Sequence, residues 1–347
     1  MAKIRLGLVG CGHMMNIHAK AVNDCTKEME ITAVCDVVYE HAENVAQVLN
    51  SPFICTDYRD LVDHVDAVLI ALPHDLHYEC GMFFALRDKH ILMEKPLCNT
   101  EEECLSLIET CEERGLTLMC AYPVPFWPGV KKLKALVDSG EYGRVMQMSV
   151  WTEQLTVCDL NKRTWTATAR IGGGQLFSHG CHYIDLMLRF LGNPVEGAHV
   201  GTRIGTPWLL KEGTSALILR FESGAIGYHG ATWGARGTRL GYDFQIQCEK
   251  GMLEYDHTGG EVRVYDENGE HRPGYNEENK NRKYTVLWKR EEDAGKMTQH
   301  EIAHFTDCVL NHKTPITDGR SALRSLRVIW ELYNAEKNHK LADLRGI

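Results

Sequence analysis

The sequence predicts two α/β-type domains, a doubly wound parallel sheet followed by an α+β domain with a large, mostly antiparallel open sheet. Three observations carry this. The chain has 347 residues, more than one hydrophobic core usually serves. Its first third alternates apolar runs (KIRLGLV, EITAVCD, VDAVLIAL, HILMEK, LTLMCAY) with amphipathic stretches, the pattern of parallel strands buried on both faces and joined by crossover helices. After PVPFWPG comes one helix, KKLKALVDSG, and then strand-like runs: RVMQMSVWTE, SALILRFES, AIGYHGATW, YDFQIQCE and RKYTVLWK.

The domains are therefore expected at 1–122 and 123–347. Within the first, Thr100 and Glu103 form a capping-box pattern that opens EEECLSLIETCEERG, and Gly115 ends it. MTQHEIAHFTDCVLNH and SALRSLRVIWELYNAEKN have apolar positions at helical spacing. They are expected as packing helices that can fold back on the first domain.

The formal net charge of −9 disfavours nucleic acid and anionic membrane surfaces as partners. The opening MAKIRLGLVG meets Gly10 and Gly12 too early for a signal segment, and no long apolar stretch follows, so a cytoplasmic protein is expected. Thirteen cysteines, an odd number without a Cys-x-x-Cys pair and often inside apolar runs (Cys35, Cys120), read as buried thiols.

In GLVGCGHMMNIHA, Gly10 and Gly12 fall where the first strand ends and a helix begins. There a tight turn and a missing Cβ let backbone N–H groups approach a pyrophosphate. Met15 occupies the position of the fingerprint's third glycine. Asp36 closes the second strand, placed to accept from adenosine ribose hydroxyls and to repel a 2′-phosphate, so NAD is expected in preference to NADP. ALPHDLH, after VDAVLIAL, and MEKPL, after HILMEK, lie at carboxyl ends of strands, the ligand-binding edge of such a Rossmann sheet. Lys95, followed by Pro96, either donates to a substrate oxygen or snorkels to solvent.

These motifs, in this order, resemble the glucose-fructose oxidoreductase / inositol dehydrogenase / MocA (Gfo/Idh/MocA) family over nearly the whole chain. The matching segments are GCGHMMNIHA, CD at Asp36, LPHDLHYE, EKPL, FWPGVKKLKALVDSGEYGRV, GGGQLFSHGCHYID, FESGAIG and HFTDCVLNHKTPITDG. The resemblance implies a nicotinamide-dependent oxidoreductase of sugars, cyclitols or related alcohols, with an open sheet that commonly makes a homo-oligomer, dimer or tetramer. It implies cofactor contacts from Gly10, Cys11, Gly12, His13, Met14, Met15, Asp36, Ala71, Leu72, Pro73, His74, His77, Glu94 and Lys95. Lys95 and His182 would be the catalytic pair. Two departures fall on the substrate side: Ser178 stands where many relatives have an aspartate, and Pro125 replaces an arginine before Phe126.

SHGCHYID bears on three readings. As a helix it would put Ser178, His182, Asp185 and Arg189 on one stripe, with Ile184, Met187, Leu188 and Leu191 inward. A polar helix face, with Asp185 orienting a structural histidine, is one reading. A zinc site from His179, His182 and Cys181 is another, but Cys181 would point away and no second ligand cluster is evident, so no metal is expected. The third makes His182 the general base for a secondary alcohol, while Lys95 stabilises the developing charge on its oxygen. Tyr122, Arg163, Trp165, Ser178, His179 and Asp185 are candidate substrate contacts, with packing or surface roles as the alternative.

The leading expectation is an NAD-dependent dehydrogenase acting on a sugar, glycoside or cyclitol. The first alternative is a glycoside-cleaving enzyme that uses bound NAD transiently, through oxidation, elimination and re-reduction, because SHG resembles a Thr-His-Gly segment of such glycosidases. A non-catalytic NAD or sugar sensor is the second.

Overall fold

A computed structural model describes residues 3–25, 27–47, 49, 53–156, 172–266, 284–291 and 295–347. The chain forms two compact units. The first consists of Met1–Pro123 with Lys296–Leu326 and residues 170–172; the second holds the remainder.

The first unit is a six-stranded sheet, ordered β3-β2-β1-β4-β5-β6, with every pair parallel. Its strands are β1 (Ile4–Val9), β2 (Met29–Cys35), β3 (Phe53–Cys55), β4 (Ala67–Ile70), β5 (His90–Glu94) and β6 (Leu118–Ala121). β4 and β6 are buried at every residue, as strands covered on both faces must be. Helices α1 (His13–Cys25), α2 (Tyr39–Gln47), α3 (His77–Ala85) and α4 (Glu101–Glu113) make the crossovers. α4 opens on the full capping box: Thr100 accepts from the Glu103 N–H while the Glu103 side chain reaches back to Thr100. Helix α7 (Gln299–Asn311) packs on α1. Residues 317–318 lie along the outer edge of β6, where Cys120 N–H donates to Thr317 O at 2.8 Å and Met119 bridges Asp318.

The second unit is built on a nine-stranded sheet, β14-β13-β12-β11-β7-β10-β9-β8-β15. Its strands are β7 (Val145–Glu153), β8 (Pro194–Thr202), β9 (Thr214–Phe221), β10 (Ile226–Thr232), β11 (Tyr242–Cys248), β12 (Gly251–Asp256), β13 (Glu261–Tyr265), β14 (Tyr284–Lys289) and β15 (Ala342–Asp343). Only β7 and β10 run parallel; the other pairs are antiparallel. Helices α5 (Pro128–Asp138) and α6 (Cys181–Leu191) cover one face. The other carries Trp151, Tyr228, Ile218 and Val200, and the last two are exposed. Helix α8 (Gly319–Lys337) begins in the first unit and ends in the second.

Candidate active site

In the first unit the candidate site residues lie on the turns leaving β1, β2, β4 and β5. Gly10 has φ +85°, and a Cβ there would sit 2.4 Å from the Ala71 carbonyl oxygen and 2.9 Å from Leu72 Cδ2, so only glycine fits. At Gly12 a Cβ would have no described neighbour within 4 Å. The chain itself does not require glycine there, which fits a backbone cradle for a group lying over the start of α1.

Asp36 is tied into the same turn. Its Oδ2 accepts from Cys11 N–H at 2.8 Å and its Oδ1 from Val38 N–H at 2.9 Å. His41 Nδ1 stands 3.5 Å from Oδ1. The carboxylate therefore fixes the glycine turn against the end of β2. The Cys11 side chain turns inward, its Sγ meeting Cys35 O, and burial followed by the Asp36 charge pushes its thiol up to about 12. Met15 is fully buried.

His77 is buried between two of these turns, with Nδ1 2.8 Å from Pro96 O and Nε2 3.0 Å from Leu72 O. Burial pushes its pKa down, and a neutral imidazole can donate to only one of the two carbonyls. One ring nitrogen thus donates to the main chain, and the ring braces the exits of β4 and β5. Glu94 is also internal: Oε1 lies 2.8 Å from His18 Nε2 and Oε2 accepts from Lys95 N–H at 3.1 Å. Lys95 is half-buried, directly beyond the end of β5. Tyr122 is fully buried. Of its two readings, substrate contact and packing, burial favours packing.

In the second unit GGGQLFSHGCHYID does not run as one regular α-helix. Leu176–Gly180 forms a π-helical turn, and α6 starts after it. Such turns recur at functional sites because the extra residue re-aims the side chains around it. The expected polar stripe is corrected too: from Cys181 through Leu188 every residue of α6 is buried. Both Asp185 oxygens accept from Arg189, at 2.6 and 2.9 Å, so the carboxylate sits in a partly buried ion pair one turn along the helix.

The π turn sets half-buried His179 in an aromatic enclosure. Its ring lies 5.7 Å from His182, 5.3 Å from Tyr183, 6.3 Å from Trp233 and 6.0 Å from Tyr242. Gln175 Nε2 is 3.4 Å from His179 Nδ1, and Tyr242 donates its hydroxyl hydrogen to Gln154. Two imidazoles among aromatic faces suit a polyol, whose C–H faces stack and whose hydroxyls bond to polar tips. Ser178 is buried in the π turn. Arg163 and Trp165 lie outside the described residues. Trp233 and Tyr242 were not legible as site residues, since they lie more than fifty positions from His179. Among the described residues no three His, Cys, Asp or Glu are grouped to hold a metal ion.

Residues 4–122 match the model of an oxidoreductase family with an NAD-binding Rossmann fold, and residues 130–254 match the GFO/IDH/MocA C-terminal domain. The chain belongs to this family of NAD-dependent oxidoreductases. It is 27% identical to the 2,7-anhydro-N-acetylneuraminate hydratase of Escherichia coli over 75% of this chain and 70% of the relative. It is 26% identical to the myo-inositol 2-dehydrogenase of Thermotoga maritima over 73% and 75%. In fold it is similar to a levoglucosan dehydrogenase solved with NADH, with a TM-score of 0.87 at 20% identity over 99% and 100% of the two chains.

Proposed function

We propose that the protein oxidises a secondary alcohol of a sugar, glycoside or cyclitol with NAD, Lys95 and His182 acting as the acid/base pair. The observation that carries this is the enclosure of His179 by Tyr183, Trp233 and Tyr242 in the second unit, with His182 against its ring and that of Tyr183. Bound NAD supplies the hydride acceptor. Gly10, Gly12 and the start of α1 hold its pyrophosphate, and Asp36 holds the ribose while opposing a 2′-phosphate. His182 takes the hydroxyl proton, and the Lys95 ammonium donates to the substrate oxygen as negative charge develops on it. In reduction each group returns what it took.

A second reading, transient oxidation followed by elimination and re-reduction, is favoured by the second imidazole of His179 beside His182 and by Ser178 in place of an aspartate. The anhydro-sugar hydratases among the relatives support keeping it. On the open face of the second unit's sheet, exposed Val200 and Ile218 beside Trp151 and Tyr228 suit contact with another copy of the chain. We place the protein in the cytoplasm. Among the described residues no helix is long and apolar enough to cross a membrane.

The test is incubation with NAD and a panel of free sugars, glycosides and inositols, following NADH absorbance and products together. Net dehydrogenation accumulates NADH; transient oxidation yields product without it. Lys95→Ala and His182→Ala should retain NAD binding and lose roughly 10²-fold or more in turnover. Wild-type rates in both variants would overturn the mechanism.

A further inference from the structure

Behind Lys95 the first unit buries two acids and one imidazole in a line. His18, on α1, is fully buried, with Nε2 2.8 Å from Glu94 Oε1. The other Glu94 oxygen accepts the main-chain N–H of Lys95. On the opposite side of the ring, Nδ1 faces Oε1 of Glu301, on α7, at 3.9 Å. Glu301 is fully buried, and among the described residues neither of its oxygens meets a hydrogen-bond donor. The other titratable groups bearing on the line are Lys95, His77 and Lys296, whose Nζ lies 2.6 Å from Met14 Sδ.

Two carboxylates cannot both stay ionised in so dry a place, and hydrogen bonding decides which one does. Glu94 has two donors, the His18 ring and the Lys95 amide. Burial is the strongest single influence and opposes its charge, but the His18 hydrogen bond and the charges of His18, Lys95 and Lys296 together outweigh it and hold the carboxyl well below its ordinary range. Glu301 has no donor, and burial followed by the Glu94 charge pushes its carboxyl well above the ordinary range. The consistent arrangement is a protonated Glu301, a His18 whose Nε2–H points at Glu94, and an ionised Glu94.

We infer that His18 is a positioning residue for Lys95: with Glu301 protonated, its ring holds one buried negative charge on Glu94, against the main chain of Lys95, and so sets the charge environment of the ammonium. This rests on the proposed catalytic role of Lys95, but its first test does not. In the full-length protein, reductive methylation of Lys95 is followed against pH by mass spectrometry for wild type, Glu94→Gln, His18→Leu, His18→Gln and Glu301→Gln. Removing the buried Glu94 charge should lower the labelling midpoint in Glu94→Gln by roughly half a pH unit or more. His18→Leu should behave similarly, and His18→Gln, which restores a donor, should return part of the shift. Glu301→Gln replaces a neutral acid by a neutral amide and should leave the midpoint unchanged. Infrared spectra at neutral pH should show a protonated carboxyl band that this variant lacks.

Turnover of myo-inositol, glucose and levoglucosan by the same variants and by Lys95→Ala separates the two ideas. Unchanged labelling in Glu94→Gln overturns the positioning inference, as does a Glu301→Gln shift as large as that of Glu94→Gln. Wild-type turnover by Lys95→Ala overturns the catalytic reading instead. Should His18→Leu fail to fold, Glu94→Gln and His18→Gln decide.

Discussion

The phenolic oxygen of Tyr333 lies 2.6 Å from a carboxylate oxygen of Glu212, and the two together cap the glycine-rich turn that leads to His179 and His182. Tyr333 accepts from the N–H groups of Gly174 and Phe177, both at 3.2 Å, and Glu212 accepts from Leu176 N–H at 3.1 Å. A Cβ on Gly174 would sit 2.1 Å from the Glu212 carboxylate. Tyr333→Phe leaves two main-chain donors and one carboxylate short of a partner, so it should cost roughly 1–3 kcal/mol of stability. It should also lower kcat, because the π turn is no longer pinned. Denaturant melts beside steady-state kinetics check this; a variant as stable and as active as wild type refutes the capping role.

Gly10 and Gly12 should respond differently to alanine. Gly10→Ala forces a left-handed backbone and a clash with Ala71, at a cost of roughly 1–3 kcal/mol or more. Gly12→Ala should leave the melting temperature near wild type and weaken NAD binding, since its methyl would project over the start of α1. Differential scanning calorimetry with and without NAD separates the two.

Cofactor choice should follow Asp36. Wild type should bind NAD more tightly than NADP, and Asp36→Ala should narrow the gap while destabilising the turn, because Cys11 and Val38 N–H groups lose their acceptor. Titration calorimetry with both cofactors gives the ratio. Tighter NADP binding by the wild type would contradict the ribose assignment.

His229 is fully buried, its Nε2 2.9 Å from Thr152 Oγ1. Burial, with His199 adding to it, lowers its pKa to about 3. The unfolded chain takes up this proton near pH 6.5 and the folded chain does not. Stability is therefore full above pH 6.5 and falls as the pH drops toward 3, by about 1.4 kcal/mol per pH unit from this group. His229→Gln should flatten that part of the stability–pH curve. A variant curve parallel to wild type between pH 6 and 4 would show that His229 is not the source.

Exhaustive chelation should leave turnover intact, since hydride chemistry with His182 and Lys95 needs no Lewis acid. Loss of activity that zinc restores would revive His179 and His182 as ligands.

The sheet of the first unit was legible where strands are long apolar runs. β3, three residues at the edge, gave no pattern of its own. In the second unit β8, PVEGAHVGT, escaped because glycines, a glutamate and a histidine interrupt its alternation. The turn after β1 is local in sequence, so the places of Gly10, Gly12 and Asp36 at strand ends could be read directly. The π turn could not, because what holds it is Glu212 and Tyr333, 36 and 159 positions away from their partners. The inward turn of Cys11 and the bracing role of His77 were hidden for the same reason: each depends on a carbonyl of a different strand exit.

The first unit takes its last segment, Lys296–Leu326, from near the end of the chain. During synthesis on a ribosome, the nucleotide-binding sheet therefore emerges long before α7 and residues 317–318. Until they arrive, α1 has no helix over His18, and the outer edge of β6 offers unpaired main-chain groups to any passing strand. A nascent chain halted before residue 296 would be a protease-sensitive, aggregation-prone species, however regular its Rossmann sequence. The second unit's segments 124–169 and 173–295 must be threaded out before the first unit can close. A chain terminated between residues 296 and 326 would lack part of the first unit's closing segment together with residues 327–347 of the second.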